Sequence, residues 1–291
     1  MVNVIGGSLS ALAPWRLIGR VQSAINAKQQ EFRSSCEECT HPDIFRRTLS
    51  TSENSWCGRD ADYHIPTRGR IYEQLTLQSL PSELRKRTTL VCPKREASGL
   101  YRLYGDVVNI RYQPDSTWKL AQKREWIVHE WLKDGHEKIL MLDDDLRFAT
   151  RRSKGHARLR PIYEELIPEF QRIEDKLGPE YPHVGFGQRQ GNNRETAGWK
   201  SPGKTVCALG YYLPVVAKEC RWDLVELRQD MCATLQLLLK GYPNAVWTET
   251  VVDQKRDAPG GCSTYRTDEM SDAEARKLAG RFPNYVSGTE G

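Results

Sequence analysis

The chain has 291 residues, 38% of them hydrophobic and 28% charged, which is enough for one large domain or two small ones with a proper core. No apolar run approaches the length of a bilayer span, so the sequence reads as a cytoplasmic protein with no membrane partner. The formal net charge of +5 permits a polyanionic partner such as nucleic acid without demanding one, and eight scattered cysteines fit reduced thiols better than a disulfide framework.

Near the start, Leu17, Ile18, Val21, Ile25 and Phe32 recur at helical spacing opposite Lys28, Gln29 and Gln30, predicting an amphipathic helix over residues 14–33. Arg16 and Arg20 interrupt any signal-peptide core. Residues 34–60 are polar and carry Cys36, Cys39 and Cys57; with His41 these could hold zinc, but the second half of such a site lacks its usual paired spacing. Residues 1–58 are therefore expected to form a helical extension or linker, and residues 59–291 the main domain.

From Tyr63 short strands and helices alternate. Strands are expected at 63–66, 88–92 and 107–112, a helix from 72 to 80 ended by Pro81, and a longer helix from 117 to 134 stopped by Gly135. The pattern predicts an α/β fold with a doubly wound, mostly parallel sheet flanked by helices. Lys138-Ile139-Leu140-Met141-Leu142 then reads as a strand buried on both faces, ending in Asp143, Asp144 and Asp145. The carboxyl end of such a strand is where ligands bind, and three adjacent carboxylates call for a cation; magnesium or manganese would suit them, and a solvated acidic turn is the alternative. Arg124 lies on the apolar stripe of the preceding helix, so either its guanidinium points at these acids or its stem lies along the surface with the head in water.

Beyond the acids a helix is expected at 161–177, then a ligand loop over 184–194, where glycines, amides and arginines suit polar ligands or form a plain surface loop. Val206–Leu213 reads as a strand. Asp230 opens a helix closed by Gly241, where a carboxylate is often a mere cap. A last strand spans 244–252, followed by a basic, glycine-rich stretch with Lys255, Arg256, Gly260 and Gly261, as a lid over a diphosphate would have. Ser271 and Glu274 read as the capping box of a final helix.

Taken together these segments resemble a GT-A fold glycosyltransferase over residues 62–286. Ile65-Pro66-Thr67-Arg68-Gly69-Arg70 looks like the family's first strand and its turn toward the nucleotide, Leu142-Asp143-Asp144-Asp145 like its DxD signature, and Gln229-Asp230 through Gly241-Tyr242 like its acid, leucine-rich helix and Gly-Tyr segment. The resemblance implies a hexosyl- or pentosyltransferase using a nucleotide sugar, a UDP-sugar, with Asp230 as catalytic base. It implies donor contacts from Pro66, Thr67, Arg68, Arg70, Arg124, Asp143, Asp144, Lys255 and Arg256, and Mn2+ or Mg2+ held by Asp145 and Asp143. The family often has a metal-binding histidine after the last strand; here Asp253 is the substitute. An acid that reads the nucleobase is also missing after the second strand, where Cys92-Pro93-Lys94-Arg95 stands.

Within that fold, residues 189–193 and 260–266 are similar to the bacteriophage TET-associated glycosyltransferases. That narrower likeness implies DNA carrying 5-hydroxymethylcytosine as the acceptor, contacts from Arg189, Asn192, Asn193 and Arg194, and work in the host cytoplasm if the chain is phage-encoded. Attack from the side opposite the diphosphate, with Asp230 as base, would make the transfer inverting, and taking the base out of the stack would call for an aromatic such as Trp199 or Tyr211. Transfer to polysaccharide or protein, or a sugar-phosphate nucleotidyltransferase activity, are the competing expectations.

Overall fold

The computed structural model describes residues 2–3, 61–116, 119–151, 159–189, 196–254 and 260–287. The expected helix at 14–33 and the cysteines at 36, 39 and 57 lie outside the described residues. The strands are β1 (Val2–Asn3), β2 (Asp62–Pro66), β3 (Thr88–Pro93), β4 (Asn109–Gln113), β5 (Lys138–Leu142), β6 (Leu146–Arg151), β7 (Leu159–Pro161), β8 (His183–Gln188), β9 (Trp199–Lys200), β10 (Ala208–Tyr212), β11 (Asn244–Gln254) and β12 (Val286–Ser287). The helices are α1 (Leu75–Ser79), α2 (Ser82–Lys86), α3 (Lys94–Tyr104), α4 (Leu120–Lys133), α5 (Leu166–Lys176), α6 (Leu213–Glu219), α7 (Gln229–Leu239) and α8 (Asp268–Arg281), with a 3-10 turn at Gly261–Thr264.

The main sheet runs β4-β3-β2-β5-β10-β8-β11-β6-β7, with β9 added beside β11. Its first four strands are parallel, β10 is antiparallel to both neighbours, and β8 and β11 are parallel again. This is a mixed, mostly parallel sheet with helices on both faces, as the alternation of strands and helices predicts. β5 lies in its interior because every residue from Ile139 to Leu142 is at most 1% exposed. Alternate side chains serve two cores: Ile139 and Met141 pack with Val128, Trp131 and Tyr211, whereas Leu140 and Leu142 pack with Tyr63, Phe148 and Phe170. Each layer loses water from both sides of one strand, which is why the sequence reads as an unbroken apolar run.

Several boundaries differ from expectation. Residues 184–188, expected to begin a ligand loop, lie in the buried strand β8. Gly185 is there for packing, since a Cβ would stand 2.1 Å from Thr205 Oγ1. The final helix is capped by Thr267, whose side chain accepts from Met270 N at 3.2 Å, so Ser271 and Glu274 lie inside it and not at its start. Glu274 instead accepts from Glu226 N at 2.5 Å, tying α8 to the segment before α7. Near the chain start, Val2 and Asn3 pair in parallel with Val286 and Ser287.

Candidate active site

The acids follow β5 on a turn that is bonded on both sides. Asp143 N donates to the Cys207 carbonyl at 2.8 Å, Thr76 N donates to the Asp144 carbonyl at 3.2 Å, and Leu146 N donates to Thr76 Oγ1 at 2.8 Å. The Thr76 hydroxyl in turn donates to the Asp143 carbonyl. Asp144 and Asp145 are 6% and 4% exposed, so the turn is not the solvated one offered as the alternative. A fixed backbone of this kind holds three like charges where a flexible loop would let them separate.

Three cations answer them. Arg70 Nη1 donates to Asp144 Oδ1 and lies 3.0 Å from Asp145 Oδ2. Arg124 Nη2 donates to Asp143 Oδ1 at 2.8 Å, so this buried arginine does point at the acids. Lys123 Nζ donates to the Thr67 carbonyl at 2.8 Å, and Thr67 Oγ1 donates to Asp144 Oδ2 at 2.7 Å. Burial pushes the Asp143 carboxyl up to about 6 against the pull of Arg124, and the like charges of Asp145, Asp230 and Asp144 add to the rise. Burial brings Lys123 down to about 8, opposed by Asp144.

The loop after β2 carries the remaining donor-side residues. Pro66 ends the strand, Gly69 N donates to Glu96 Oε2 at 2.8 Å, and the Arg68 carbonyl accepts from Gly261 N at 2.7 Å. Gly260, at φ 93, packs so closely that a Cβ would meet Arg70 Cγ at 2.7 Å. The stretch expected to cover a diphosphate thus touches the Thr67–Arg70 loop, although Lys255 and Arg256 lie outside the described residues.

Gln254 was not anticipated from the sequence. Its Nε2 donates to Asp145 Oδ1 at 3.0 Å and its Oε1 accepts from Cys207 Sγ at 3.5 Å. Its neighbour Asp253 projects to the other face of β11, as alternation requires, and binds Arg189 Nη1 at 2.6 Å. The structure therefore does not bring Asp253 to Asp145; Gln254 stands in that place. Lys123 and Glu96 were missed for another reason: nothing local in sequence links them to the acids.

Among the described residues, no group of three or more His, Cys, Asp or Glu side chains could by itself hold a metal. Magnesium and manganese seldom need one, because one or two carboxylates with waters and substrate phosphates complete their shell. Asp143 and Asp145 fit that partial kind of site in donor chemistry, with hard oxygens and an excess of like charge about Asp143.

Asp230 is the second residue of α7, half-buried, and its Oδ1 accepts from Met231 N at 2.8 Å. Its charge reaches both Asp143 and Arg124. Among the described residues it has no ion pair within 4.0 Å, which leaves a carboxylate beside the acidic turn able to accept a proton.

On the expected acceptor side, Asn192, Asn193 and Arg194 lie outside the described residues, and Arg189 is exposed. Trp199 is on β9 opposite Trp247, with Lys176 Nζ 6.0 Å from its ring. Trp247 precedes Gln254 by seven positions on β11, but the register shift between Trp247 and Val251 shortens the advance to about four strand steps, roughly 13 Å at about 3.3 Å per residue. The structure does not bring Trp199 to them.

Comparison with known proteins agrees with this layout. The family profile of the TET-Associated Glycosyltransferase matches residues 63–261. The "Beta-glucosyl-HMC-alpha-glucosyl-transferase" of Enterobacteria phage T2 is 26% identical over 240 residues, covering 75% of this chain and 80% of the phage protein, and that of phage T6 matches equally. Among solved structures, a 4-diphosphocytidyl-2C-methyl-D-erythritol synthase from Anaerococcus prevotii is 12% identical with a TM-score of 0.42, covering 75% of this chain and 96% of the other. Among the described residues no helix is long and apolar enough to cross a membrane. With a family match across the sheet, the acidic turn and the Gly260-Gly261 stretch, the chain belongs to the TET-associated glycosyltransferases and is an enzyme of sugar transfer.

Proposed function

We propose that the protein moves a sugar from a nucleotide-sugar donor, a UDP-sugar, to a hydroxyl on 5-hydroxymethylcytosine in DNA, with Asp230 as base and inversion at the anomeric carbon. The observation that carries this reading is an Asp230 carboxylate, without an ion pair among the described residues, whose charge reaches an acidic turn already bridged by arginines. Mn2+ or Mg2+, held by Asp145 and Asp143, would neutralise the leaving diphosphate. Arg70 and the Thr67–Arg70 loop bind the donor from the other side of the turn, and Lys255 and Arg256 assist at the diphosphate. Arg124 holds Asp143 in place and offsets part of its charge.

Asp230 takes the proton from the acceptor hydroxyl as it attacks the anomeric carbon, and the sugar–phosphate bond breaks with its electron pair leaving on the diphosphate. A carboxylate suffices because bond breaking runs ahead of attack, so proton removal comes late. The acceptor is supported by the phage relatives, whose name specifies a glucosylated hydroxymethylcytosine. That name favours one variant reading, in which the accepting hydroxyl belongs to a sugar already on the base. Arg189, Asn192, Asn193, Arg194 and, at longer range, Trp199 are assigned to the DNA.

The test is transfer from labelled UDP-glucose, with and without manganese, to three duplexes carrying cytosine, 5-hydroxymethylcytosine or its β-glucosylated form. Metal-dependent labelling of a modified duplex alone is expected, and the anomeric configuration of the product by NMR reports inversion or retention. Equal labelling of plain cytosine DNA would overturn the acceptor assignment.

A further inference from the structure

Two half-buried cations, Arg228 and Lys204, feel the charge of Asp230, and among the described residues neither makes an ion pair within 4.0 Å. Arg228 sits two residues before Asp230 as the N-cap of α7, at φ 64, in the left-handed region. Residues at this helix position usually adopt an extended backbone and cap with a short polar side chain; an arginine gains neither, so the strain is held by something other than local structure. Its Nη2 donates to Ser271 Oγ at 3.2 Å, and its buried Nε has no hydrogen-bond partner among the described residues.

Lys204 is held between two anchored residues. Gly203 N donates to Asn244 Oδ1 at 3.1 Å, Asn244 Nδ2 returns a bond to the Gly203 carbonyl at 2.6 Å, and Thr205 Oγ1 donates to the Phe186 carbonyl at 3.1 Å. Lys204 itself is half-buried, and among the described residues it makes no hydrogen bond and no ion pair within 4.0 Å. Burial holds both cations below their ordinary values, with Asp230 the largest opposing charge on each. Arg266 adds a third positive charge near Arg228, and Asp272 a second negative one.

A half-desolvated cation without its own anion is costly unless a ligand completes it. The Asp230 carboxylate must stay ionised to act as a base, and an acceptor carried on a polyanion brings phosphate close to it. Repulsion between that phosphate and Asp230 would oppose docking unless cations stand beside the base. We infer that Arg228 and Lys204 hold a phosphodiester of the acceptor strand next to the target nucleotide, while Asp230 faces its hydroxyl. This rests on the DNA reading above. The donor diphosphate is the other source of phosphate that could fill the site, and the two separate experimentally.

Binding of a 5-hydroxymethylcytosine duplex to the full chain is to be followed by fluorescence anisotropy across a sodium chloride series, alongside UDP-glucose binding by calorimetry. Arg228→Asn and Lys204→Gln should each weaken DNA binding and make the slope of log K against log salt shallower by about 0.9, the value for one lost phosphate contact. Asn and Gly accept left-handed backbone readily, so Arg228→Asn and the second variant Arg228→Gly should melt at or above the wild-type temperature. UDP-glucose affinity should not move. A folded variant with unchanged DNA affinity and salt slope overturns the clamp, and weakened UDP-glucose binding overturns it in favour of the donor diphosphate. A wild-type chain that shows no salt-dependent binding to this duplex removes the DNA reading and the clamp with it.

Discussion

Arg124, 2% exposed on α4, donates from Nη2 to Oδ1 of Asp143 at 2.8 Å. Its Nε and Nη1 are buried without hydrogen-bond partners among the described residues, so this one pairing carries most of the compensation for a buried charge. Removing one partner of such a pair leaves an unbalanced charge and typically costs about 3–5 kcal/mol, whereas removing both is far milder. Arg124→Met should therefore unfold at markedly lower urea, and Arg124→Met with Asp143→Asn should recover much of the loss. If the double variant is as unstable as the sum of the singles, the pair is not coupled.

Asp145→Asn tests the metal-side role. The Asn side chain keeps the oxygen that accepts from Gln254, and Arg70 keeps its pairing with Asp144, so the fold and melting temperature should hold. Losing the charge should abolish transfer and weaken manganese-dependent UDP-sugar binding. Wild-type turnover in this variant would end the assignment of Asp145 to the metal.

Asp230→Asn separates base from cap. Asn and Asp stabilise a helix start about equally, and the bond from Met231 N survives the change. Donor binding and thermal stability should stay near wild type while transfer falls by at least about 100-fold, the lower end of what a general base contributes. Retained transfer with a lowered melting temperature would make the residue structural.

Acid lability should come from two buried histidines. His64, in contact with Trp131 at a ring separation of 4.2 Å, is pushed by burial down to about 3, and His183 to about 4. Both folded values lie below the ordinary 6.5, so protons bind the unfolded chain first: their stability is fully present above about pH 6.5 and is lost as pH falls toward 4. At roughly 1.4 kcal/mol per pKa unit, each histidine withdraws on the order of 3 kcal/mol by pH 4. Urea midpoints from pH 7 to pH 4 should fall more gently in His64→Phe than in wild type; equal slopes would place the lability elsewhere.

The chain's local patterns specified β5, α4, α7 and the acids at the end of β5, because burial on two faces, helical periodicity and glycine at positive φ after a helix (Gly135 and Gly241) are all written in contiguous residues. They also placed Arg124 on an inward stripe beside a cluster that needs a cation. What they left open depends on residues far apart in sequence. Whether 184–188 is loop or strand was decided by pairing with β10 and β11, since its glycines answer to Thr205 and Thr248 packed across them. That Gln254 and not Asp253 meets Asp145 was settled by the register of β11 against β6, where a shift of one residue would exchange the two faces. Trp199 was drawn away from the acids by pairing with Trp247, and Lys204, distant in sequence, feels the charge of Asp230 only in the folded chain. Short-range periodicity records which face of an element is dry; only tertiary packing determines which dry faces and charged ends meet.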